Sequence, residues 1–313
     1  MTLAKVSLYL FSIGAIGLVV AFVLDIAHTT LLAVGRRRAA VPAQGGLLVP
    51  AGAAGSSSVS MAGTNGGGSL PYQAQTTAGS LGHAFTWLTL ICFVMSLLIR
   101  GWIVGRGPWG NMYEFSIAFA TGIVGGYLFL ARRYQIRSIA FVPLGVALFL
   151  VGYAATLPST IEPLVPALAN APLLTIHVSM AMVSYGIFAV SFAAALGYLA
   201  QGQHDRFTWL PSHKVLDEVA YRAVIIGFPI FASLIILGSY WASIAWGRYW
   251  GWDPKETAAL VTWLIYAVYL HARNLKGWSG RPAALILVIG FVAVLFTYFG
   301  NLYFSGLHSY SGL

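Results

Sequence analysis

The chain has 313 residues, of which 58% are hydrophobic and only 8% are charged, and its formal net charge is +9. This charged fraction is too small to cover a water-soluble protein of this length, so the composition excludes a soluble globular protein. Because the basic residues fall in short segments between apolar runs, the positive charge is typical of membrane topology signals and does not indicate nucleic-acid binding.

Long apolar segments recur along the chain, and a helix that crosses a bilayer needs roughly 20 residues. Runs of this length favour helices, because a helix satisfies its own backbone in lipid. We therefore predict an all-α polytopic membrane protein with about eight transmembrane helices and both termini extracytoplasmic. The predicted helices cover residues 6–33, 81–100, 114–131, 138–157, 173–200, 219–244, 257–275 and 283–303.

The first segment, residues 6–33, is too long for a signal peptide, and three arginines follow it. Positive charge holds a helix end in the cytoplasm, so we expect the N-terminus to face outward. Eight crossings then place twelve basic residues inside and five outside, which supports this topology. The inner residues are Arg36, Arg37, Arg38, Arg132, Arg133, Arg137, Arg206, Lys214, Arg222, Arg273, Lys276 and Arg281, and the outer ones are Lys5, Arg100, Arg106, Arg248 and Lys255.

Residues 36–80 separate the first helix, in residues 1–35, from a membrane domain of seven helices in residues 81–313. The segment is rich in Gly, Ser and Ala from residue 39 onward and has no helical period, which predicts a flexible cytoplasmic linker. The single cysteine, Cys92, excludes an internal disulfide and a CxxC pair, so any thiol chemistry must use another protein's cysteines.

An outer loop, "RGPWGNMYEF" at residues 106–115, carries Trp109, Asn111 and Glu114. We expect this loop to line an outer cavity, with Glu114 paired to Arg100 or Arg106, although a purely structural role fits the same residues. In the helix that follows, the spacing of Gly122 and Gly126 is typical of close helix packing.

The predicted topology brings three features to the outer face: His177 in "APLLTIHVSM", the loop "AWGRYWGWDPKE" at residues 245–256, and His308 in "FSGLHSYSGL". A histidine from each of two segments beside an aromatic surface is typical of a bis-histidine haem site, because neutral imidazole binds iron well. The alternatives are a helix-end histidine bonded to a carbonyl for His177 and a solvated tail residue for His308. A zinc site is disfavoured, because no third ligand groups with these two.

Trp246, Trp250 and Asp253 in this loop are spaced i, i+4 and i+7, so they would share one face if the loop were helical. We expect Pro254 to limit that helix. Gly247 and Gly251 would leave room for a flat ligand beside an indole surface that includes Trp252, and Arg248 or Lys255 could meet carboxylates at the ligand's edge. The alternative is that these aromatic residues anchor helices at the membrane interface.

His271 lies 14 residues after Thr257, about 21 Å along the seventh helix. Ionisable residues at membrane depth point to function, which predicts an inner ligand site; an interfacial histidine beside Arg273 is the alternative. Its partner could be His28 or His83, which lie at inner helix ends, or a histidine of another protein. His204 and His213 fall in a cytoplasmic loop and are expected to be solvated.

The chain resembles the CcsA (ResC) family, the membrane subunit of the System II cytochrome c synthase. The resemblance rests on "PWGNMYEF", "IHVSMAMVSYGIF", "WGRYWGWDPKETAALVTWLIYAVYLHAR" and "GLHSY", which follow the family order over about residues 81 to 313. Among these stretches, the tryptophan-rich WWD signature at residues 246–253 is highly specific when it occurs together with the closing "GLHSY".

This resemblance implies that His177 and His308 are external ligands of haem b and that residues 246–253 hold the haem edge and its vinyl groups. It implies that His271 is a ligand of an inner haem site shared with a CcsB (ResB) partner subunit. The implied function is a holocytochrome c synthase (haem lyase) of the plasma (inner) membrane, acting at its extracytoplasmic face. It joins haem to the CxxCH motif of apocytochrome c by thioether bonds, and Asp253 would orient the site or handle a proton.

Two other functions remain open. A haem exporter would deliver haem to a separate chaperone without catalysing attachment, and the same tryptophan motif would serve it. An electron-transfer subunit of a respiratory complex would need paired histidines at both membrane depths, which the positions of these histidines disfavour. Thioether formation by this chain with its partner alone would separate the synthase from the exporter.

Overall fold

The computed structural model describes residues 2–39, 76–161, 163–300 and 303–308. The predicted linker falls largely in residues 40–75, outside the described residues. Within the described part the chain is all-helical, as predicted, with eight α-helices and short 3-10 turns at Arg137–Ile139 and Pro166–Leu168. The helices are α1 Leu3–Ala39, α2 Thr77–Val104, α3 Met112–Ala131, α4 Phe141–Ala155, α5 Ala171–Gln201, α6 His213–Trp246, α7 Pro254–Lys276 and α8 Arg281–Phe299.

Most helix bounds differ from the predicted ones because polar caps, which an apolar count ignores, decide where a helix begins. α2 begins four residues early, because the Thr76 hydroxyl caps it by accepting a hydrogen bond from the Gly79 backbone N–H at 3.1 Å. α6 begins at His213 behind the Ser212 cap. α8 ends at Phe299, short of the predicted end at residue 303.

Six of the described helices are long and apolar enough to cross a membrane: α1 through Gly35, α2, α3, α5, α6 and α8. α4 is apolar but has 15 residues, which span only about 22 Å. α7 has 23 residues but carries charged side chains in its end turns, including Lys255, Glu256 and Arg273. Of the about eight transmembrane helices predicted, eight helices are confirmed in the described residues, and six of these have the length and composition of membrane spans.

The helices pack chiefly as neighbours in sequence, with α1 on α2, α3 on α4, α5 on α6 and α7 on α8. α3 and α8 also pack on α5, so α5 is the central helix of the group formed by α3, α5, α6 and α8. Polar contacts hold α1 to α2 within the apolar bundle, since the Ser7 and Ser96 hydroxyls lie 3.0 Å apart and Thr89 donates to the Gly14 carbonyl at 3.2 Å.

The α3–α5 crossing depends on glycines. A Cβ atom at Gly186 of α5 would collide with the Gly122 carbonyl oxygen of α3, and one at Gly122 would collide with the Met182 carbonyl. At Gly126 a Cβ would lie 3.1 Å from the Gly186 carbonyl oxygen. The predicted packing role of Gly122 and Gly126 is therefore confirmed, because only glycine allows the two backbones to come this close.

Contacts between helices give their directions. α3 and α5 run in the same direction, because Gly122 meets Met182 and Gly126 meets Gly186. α2 runs opposite to α3, and each of α6, α7 and α8 runs opposite to the helix before it, as the contacts Arg100–Glu114, Gly238–His177, Arg273–Asp217 and Thr262–Thr297 show. The starts of α3, α5 and α7 therefore lie at the same end of the bundle as the ends of α2, α6 and α8. This end carries Trp109, Trp241, Trp246, Trp250 and Trp252, and we refer to it as the tryptophan end. It is where the candidate site lies.

Candidate functional site

A cavity opens at the tryptophan end of the bundle, with a volume of about 1110 Å³ including its mouth. Residues from α3, α5, α6, α7 and the segment before the C-terminus line it. Its polar members include His177, His308, Lys255 and Glu256. Most of the rest is apolar or aromatic, namely Trp109, Met112, Phe115, Leu168, Leu174, Val178, Ala181, Tyr185, Leu234, Ile235, Trp241, Ala242, Trp246, Trp250 and Ala259.

His177 lies in the second turn of α5 and packs against α6. A Cβ atom at Gly238 would lie 2.7 Å from His177 Cε1, so this glycine makes the space for the imidazole. The Trp241 indole meets the ring edge to face, with centroids 5.6 Å apart. The His177 Nδ1 atom is buried without a hydrogen-bond partner of good geometry among the described residues, and the Leu234 carbonyl is the backbone group beside it. An imidazole held in this way suits ligand binding.

His308 reaches the cavity from the C-terminal segment because Asp253 holds it. His308 Nδ1 lies 2.8 Å from Asp253 Oδ1, and the Leu307 backbone N–H donates to Oδ2 at 2.6 Å. The Trp246 indole packs on the imidazole with centroids 4.9 Å apart. In a neutral ring whose Nδ1–H donates to a carboxylate, the lone pair is on Nε2, which is the usual arrangement of a metal-binding histidine.

Asp253 is itself buried and ionised. Burial alone would raise the pKa of Asp253, but the hydrogen bond from His308, the positive charge of that ring when it is protonated, and the backbone N–H groups of Lys255 and Leu307 lower that pKa to about 2. Gly306 lies directly against the carboxylate, where a Cβ atom would collide with Oδ2. Asp253 is therefore an anion at neutral pH and a fixed anchor for the 306–308 segment.

The loop of residues 247–253 is not helical, so the predicted common helix face of Trp246, Trp250 and Asp253 is wrong. α6 stops at Trp246 because Gly247 adopts the left-handed conformation, with φ of 70°. Asp253 then caps α7, and Glu256 completes a capping box by accepting from the Asp253 and Gly251 backbone N–H groups at 3.2 and 2.8 Å. Pro254 begins α7 and does not limit a helix before it.

The aromatic residues of the loop divide between the cavity and the surface. Trp246 and Trp250 line the cavity. Trp252 is 70% exposed and has a left-handed φ of 55°, with its ring edge to face against Trp250 at 5.8 Å. Tyr249 is 64% exposed. The indole surface is thus part cavity wall and part rim.

Sequence reasoning missed two α6 residues that line the cavity beside His177, Trp241 and Gly238. The Trp241 Nε1–H donates to the Ala167 carbonyl at 3.2 Å, which fixes the indole over the cavity. With Ala242, these residues recur on one helix face at spacings of three and four, and that pattern together with Trp246 was a usable signal.

Of the two candidate cations, only Lys255 faces the cavity. Its ammonium lies 5.6 Å from the centroid of the Phe115 ring, and both residues line the cavity. Arg248 is exposed, and its side chain folds over Gly251, where a Cβ atom would lie 3.0 Å from Nε. Gly247 is exposed as well, at the end of α6.

The outer loop of residues 106–115 is held by a buried ion pair. Arg100 and Glu114 lie 2.9 Å apart, each with 2% of its side chain exposed, which confirms Arg100 as the partner. Glu114 also accepts from the Gly110 backbone N–H at 2.8 Å. Trp109 and Asn111 line the cavity as expected, whereas Glu114 serves to position the loop.

The remaining histidines lie away from the cavity. His271 is exposed on α7, which packs on α6 and α8. His28 is buried on α1 with Nδ1 2.7 Å from the Thr76 hydroxyl, and His83 Nε2 accepts from the Trp87 indole at 3.2 Å on α2. His213 pairs with Asp205 at 3.0 Å, and His204 is exposed.

The sequence pattern of the cytochrome c assembly protein family matches residues 109–308. The chain belongs to the cytochrome c assembly protein family. Proteins named cytochrome c biogenesis protein CcsA from Guillardia theta and Prochlorococcus marinus are each 35% identical to it, over 74% and 72% of this chain and 86% and 82% of those proteins. The CcsA protein of Mesostigma viride is 34% identical over 74% of this chain and 85% of its own length.

This cytochrome c assembly protein carries its family match from Trp109 to His308, which are both cavity residues. The match therefore includes His177, the 247–253 loop and His308, and it excludes α1 and α2. The resemblance inferred from the sequence is confirmed. Membership of the cytochrome c assembly family associates the chain with haem-related cytochrome c maturation.

Proposed function

We propose that the chain is the membrane subunit of a holocytochrome c synthase, which binds haem b in the cavity at the tryptophan end and presents it to apocytochrome c. The observation that carries this proposal is the meeting of two histidines, His177 from α5 and His308 from the C-terminal segment, in one cavity walled by tryptophans. Haem is the substrate of this reaction, together with the cysteines of the CxxCH motif.

The shape and chemistry of the cavity support a porphyrin ligand. Small-molecule sites are mostly apolar clefts with a few fixed polar groups, and the lining of this cavity is of this kind. Trp241 meets His177 and Trp246 meets His308, so each imidazole is backed by an indole. We infer that these two histidines supply the axial ligands.

The proposed reaction adds each cysteine S–H across a haem vinyl group, so that sulfur bonds to one vinyl carbon and hydrogen to the other. Nothing leaves and no oxidant is consumed. The protein contributes by holding the two partners in position, which converts their encounter into a local reaction. With a pKa of about 2, Asp253 is ionised at neutral pH, which favours an orienting role on His308 over proton donation.

We propose that His271 belongs to a separate inner haem site completed by a CcsB (ResB) partner. His271 is exposed on α7, so a histidine of another subunit could approach it. His28 and His83 lie on α1 and α2, which pack on each other and on α3 and α4, and this placement favours the partner histidine. The cavity would face the extracytoplasmic side of the plasma membrane, with both termini outside.

The first test is a reduced-minus-oxidised absorption spectrum of the purified chain with its partner, compared with His308→Ala. We expect a low-spin b-type spectrum in the wild type that becomes high-spin or is lost in the variant. His213→Ala is the control, because this histidine pairs with Asp205 away from the cavity. An unchanged spectrum in His308→Ala would remove His308 from the site, and absence of haem after haem feeding would contradict the proposed function.

A second assay separates synthase from exporter. The chain and its partner are supplied with haem and an apocytochrome carrying CxxCH, and denatured product is assayed for haem that stays attached. Covalent haem on the cytochrome supports the synthase, whereas haem release without attachment supports delivery to a separate chaperone.

A further inference from the structure

Lys255 stands out because its backbone and its side chain serve different elements. Its backbone N–H donates to Asp253 Oδ1 at 2.9 Å, in the first turn of α7. Its side chain crosses to α3, where the ammonium lies 5.6 Å from the Phe115 ring centroid. The capping of α7 thus fixes where this cation enters the cavity wall.

The carboxylates nearest to this wall are already engaged. Asp253 accepts from His308 and from the Leu307 and Lys255 backbone N–H groups. Glu256 accepts from the Gly251 and Asp253 backbone N–H groups, which ties it to the loop. The ion pairs among the described residues are Arg100–Glu114, His213–Asp205, Arg222–Glu218, Arg273–Asp217 and His308–Asp253, and Lys255 is in none of them.

A cation in a largely apolar cavity is unfavourable unless an anion or polar groups compensate it. The face of one phenylalanine ring and the nearby charge of Asp253 compensate the burial of this cation only in part. The remaining positive charge is available to a ligand. Arg248 does not compete for this role, because it is exposed and folded over Gly251 outside the cavity wall.

We propose that Lys255 binds a carboxylate of the cavity ligand, so that the site selects a planar apolar molecule with a free carboxylate on its edge. This inference rests on the proposed function, because it takes the ligand to be a porphyrin. It orients that porphyrin, with a carboxylate-bearing edge toward Lys255 and Phe115 at the starts of α7 and α3. The histidines would then hold the metal while Lys255 sets the rotation of the ring.

The test uses the full chain in a neutral detergent, titrated with ferric protoporphyrin IX and with its dimethyl ester, which has no free carboxylate. Dissociation constants are read from the Soret absorbance for the wild type, Lys255→Gln and Lys255→Arg. We expect the wild type to bind the free acid roughly 10- to 100-fold more tightly than the ester. In Lys255→Gln this preference should disappear through weaker binding of the acid, while Lys255→Arg should retain most of it.

Arg248→Gln is the matched control, since it removes a cation from the same loop but outside the cavity, and its preference for the acid should equal that of the wild type. Equal acid preference in Lys255→Gln and the wild type would overturn the role of Lys255 while leaving the proposed function standing. If Lys255→Gln weakened the binding of the acid and of the ester equally, the substitution would act by disturbing the structure, and this result would also overturn the role of Lys255. Failure of the wild type to bind either porphyrin would instead contradict the proposed function itself.

Discussion

At the scale of single residues, Asp253 connects the three parts of the site. Its carboxylate receives His308, the backbone of the C-terminal segment and the first turn of α7. A carboxylate that accepts from a ligand histidine fixes the ring and makes its other nitrogen more basic. Asp253 therefore links the folding of the loop to the position of His308, the proposed haem ligand.

Asp253→Asn should weaken haem binding by roughly 10- to 100-fold and shift the haem potential upward, because the neutral amide stabilises the charge on the His308 ring less well. The measurements are haem titration and spectroelectrochemistry. Asp205→Asn is the matched control, since Asp205 also pairs with a histidine, His213, but away from the cavity. Equal effects of the two substitutions would contradict a specific role for Asp253.

The wild type and Asp253→Asn should be compared above about pH 5, where the Asp253 carboxylate of the wild type is ionised. The pKa of Asp253 is lowered from 3.8 to about 2 in the folded protein, so its ionised form stabilises the fold. That contribution is fully present above pH 3.8 and is lost as the pH falls toward 2. Acid titration of the wild type should therefore release the His308 segment in this window, while Asp253→Asn should show no such dependence.

At the scale of helices, the α3–α5 crossing brings Phe115 and His177 to the same cavity. The approach of Gly122 to Gly186 sets how closely these two helices can pack. Asn111 and Asn170 cap the two helices at the tryptophan end, where each side-chain oxygen accepts from a backbone N–H. Helix packing and capping together place the walls of the cavity.

Gly186→Ala should destabilise the protein by about 1–3 kcal/mol, because its Cβ would overlap the Gly122 carbonyl and force the helices apart. The thermal midpoint in detergent, followed by circular dichroism, should fall. Gly152→Ala in α4 is the control, since a Cβ there meets nothing within 4 Å and the helix should be unaffected or slightly more stable. A fall of equal size in both variants would contradict the packing argument.

At the scale of the whole molecule, the alternation of helices decides which residues share an end. The cavity and the 247–253 loop lie at the tryptophan end, whereas the 202–212 loop, with His204, lies at the other. Basic residues are in excess at the end of the bundle that carries the 202–212 loop, which predicts that this end is cytoplasmic and that the tryptophan end faces outward. The proposed delivery of haem to an extracytoplasmic cytochrome depends on this orientation.

Cysteine labelling of intact cells checks this orientation. Cys92 is buried, so background reaction with a membrane-impermeant maleimide should be low. A cysteine at Tyr249, which is 64% exposed at the tryptophan end, should be labelled in intact cells. A cysteine at the exposed His204 should be labelled only after permeabilisation. The reverse pattern would invert the topology.

Local features of the sequence were sufficient for the helices and for the identity of the histidines. Apolar runs set the eight helical segments, because each helix satisfies its own backbone. His177, His308 and the tryptophans were recognisable because alternating helices must bring their outer ends together. The close packing at Gly122 was also readable, since small residues at this spacing have few other uses in apolar helices.

Other features depended on contacts between segments distant in sequence. The loop of residues 247–253 is not helical because Gly247 ends α6 and Asp253 caps α7. Asp253 also contacts His308, which lies 55 residues away in the sequence. Lys255 and Arg248 look equivalent in the chain, yet only Lys255 faces the cavity. The sequence by itself determined the helices and the chemical groups, because these follow from local hydrophobicity and side-chain type. Only the tertiary structure decided which groups meet, because a carboxylate's partners and the side of a loop that faces a cavity depend on packing across the chain.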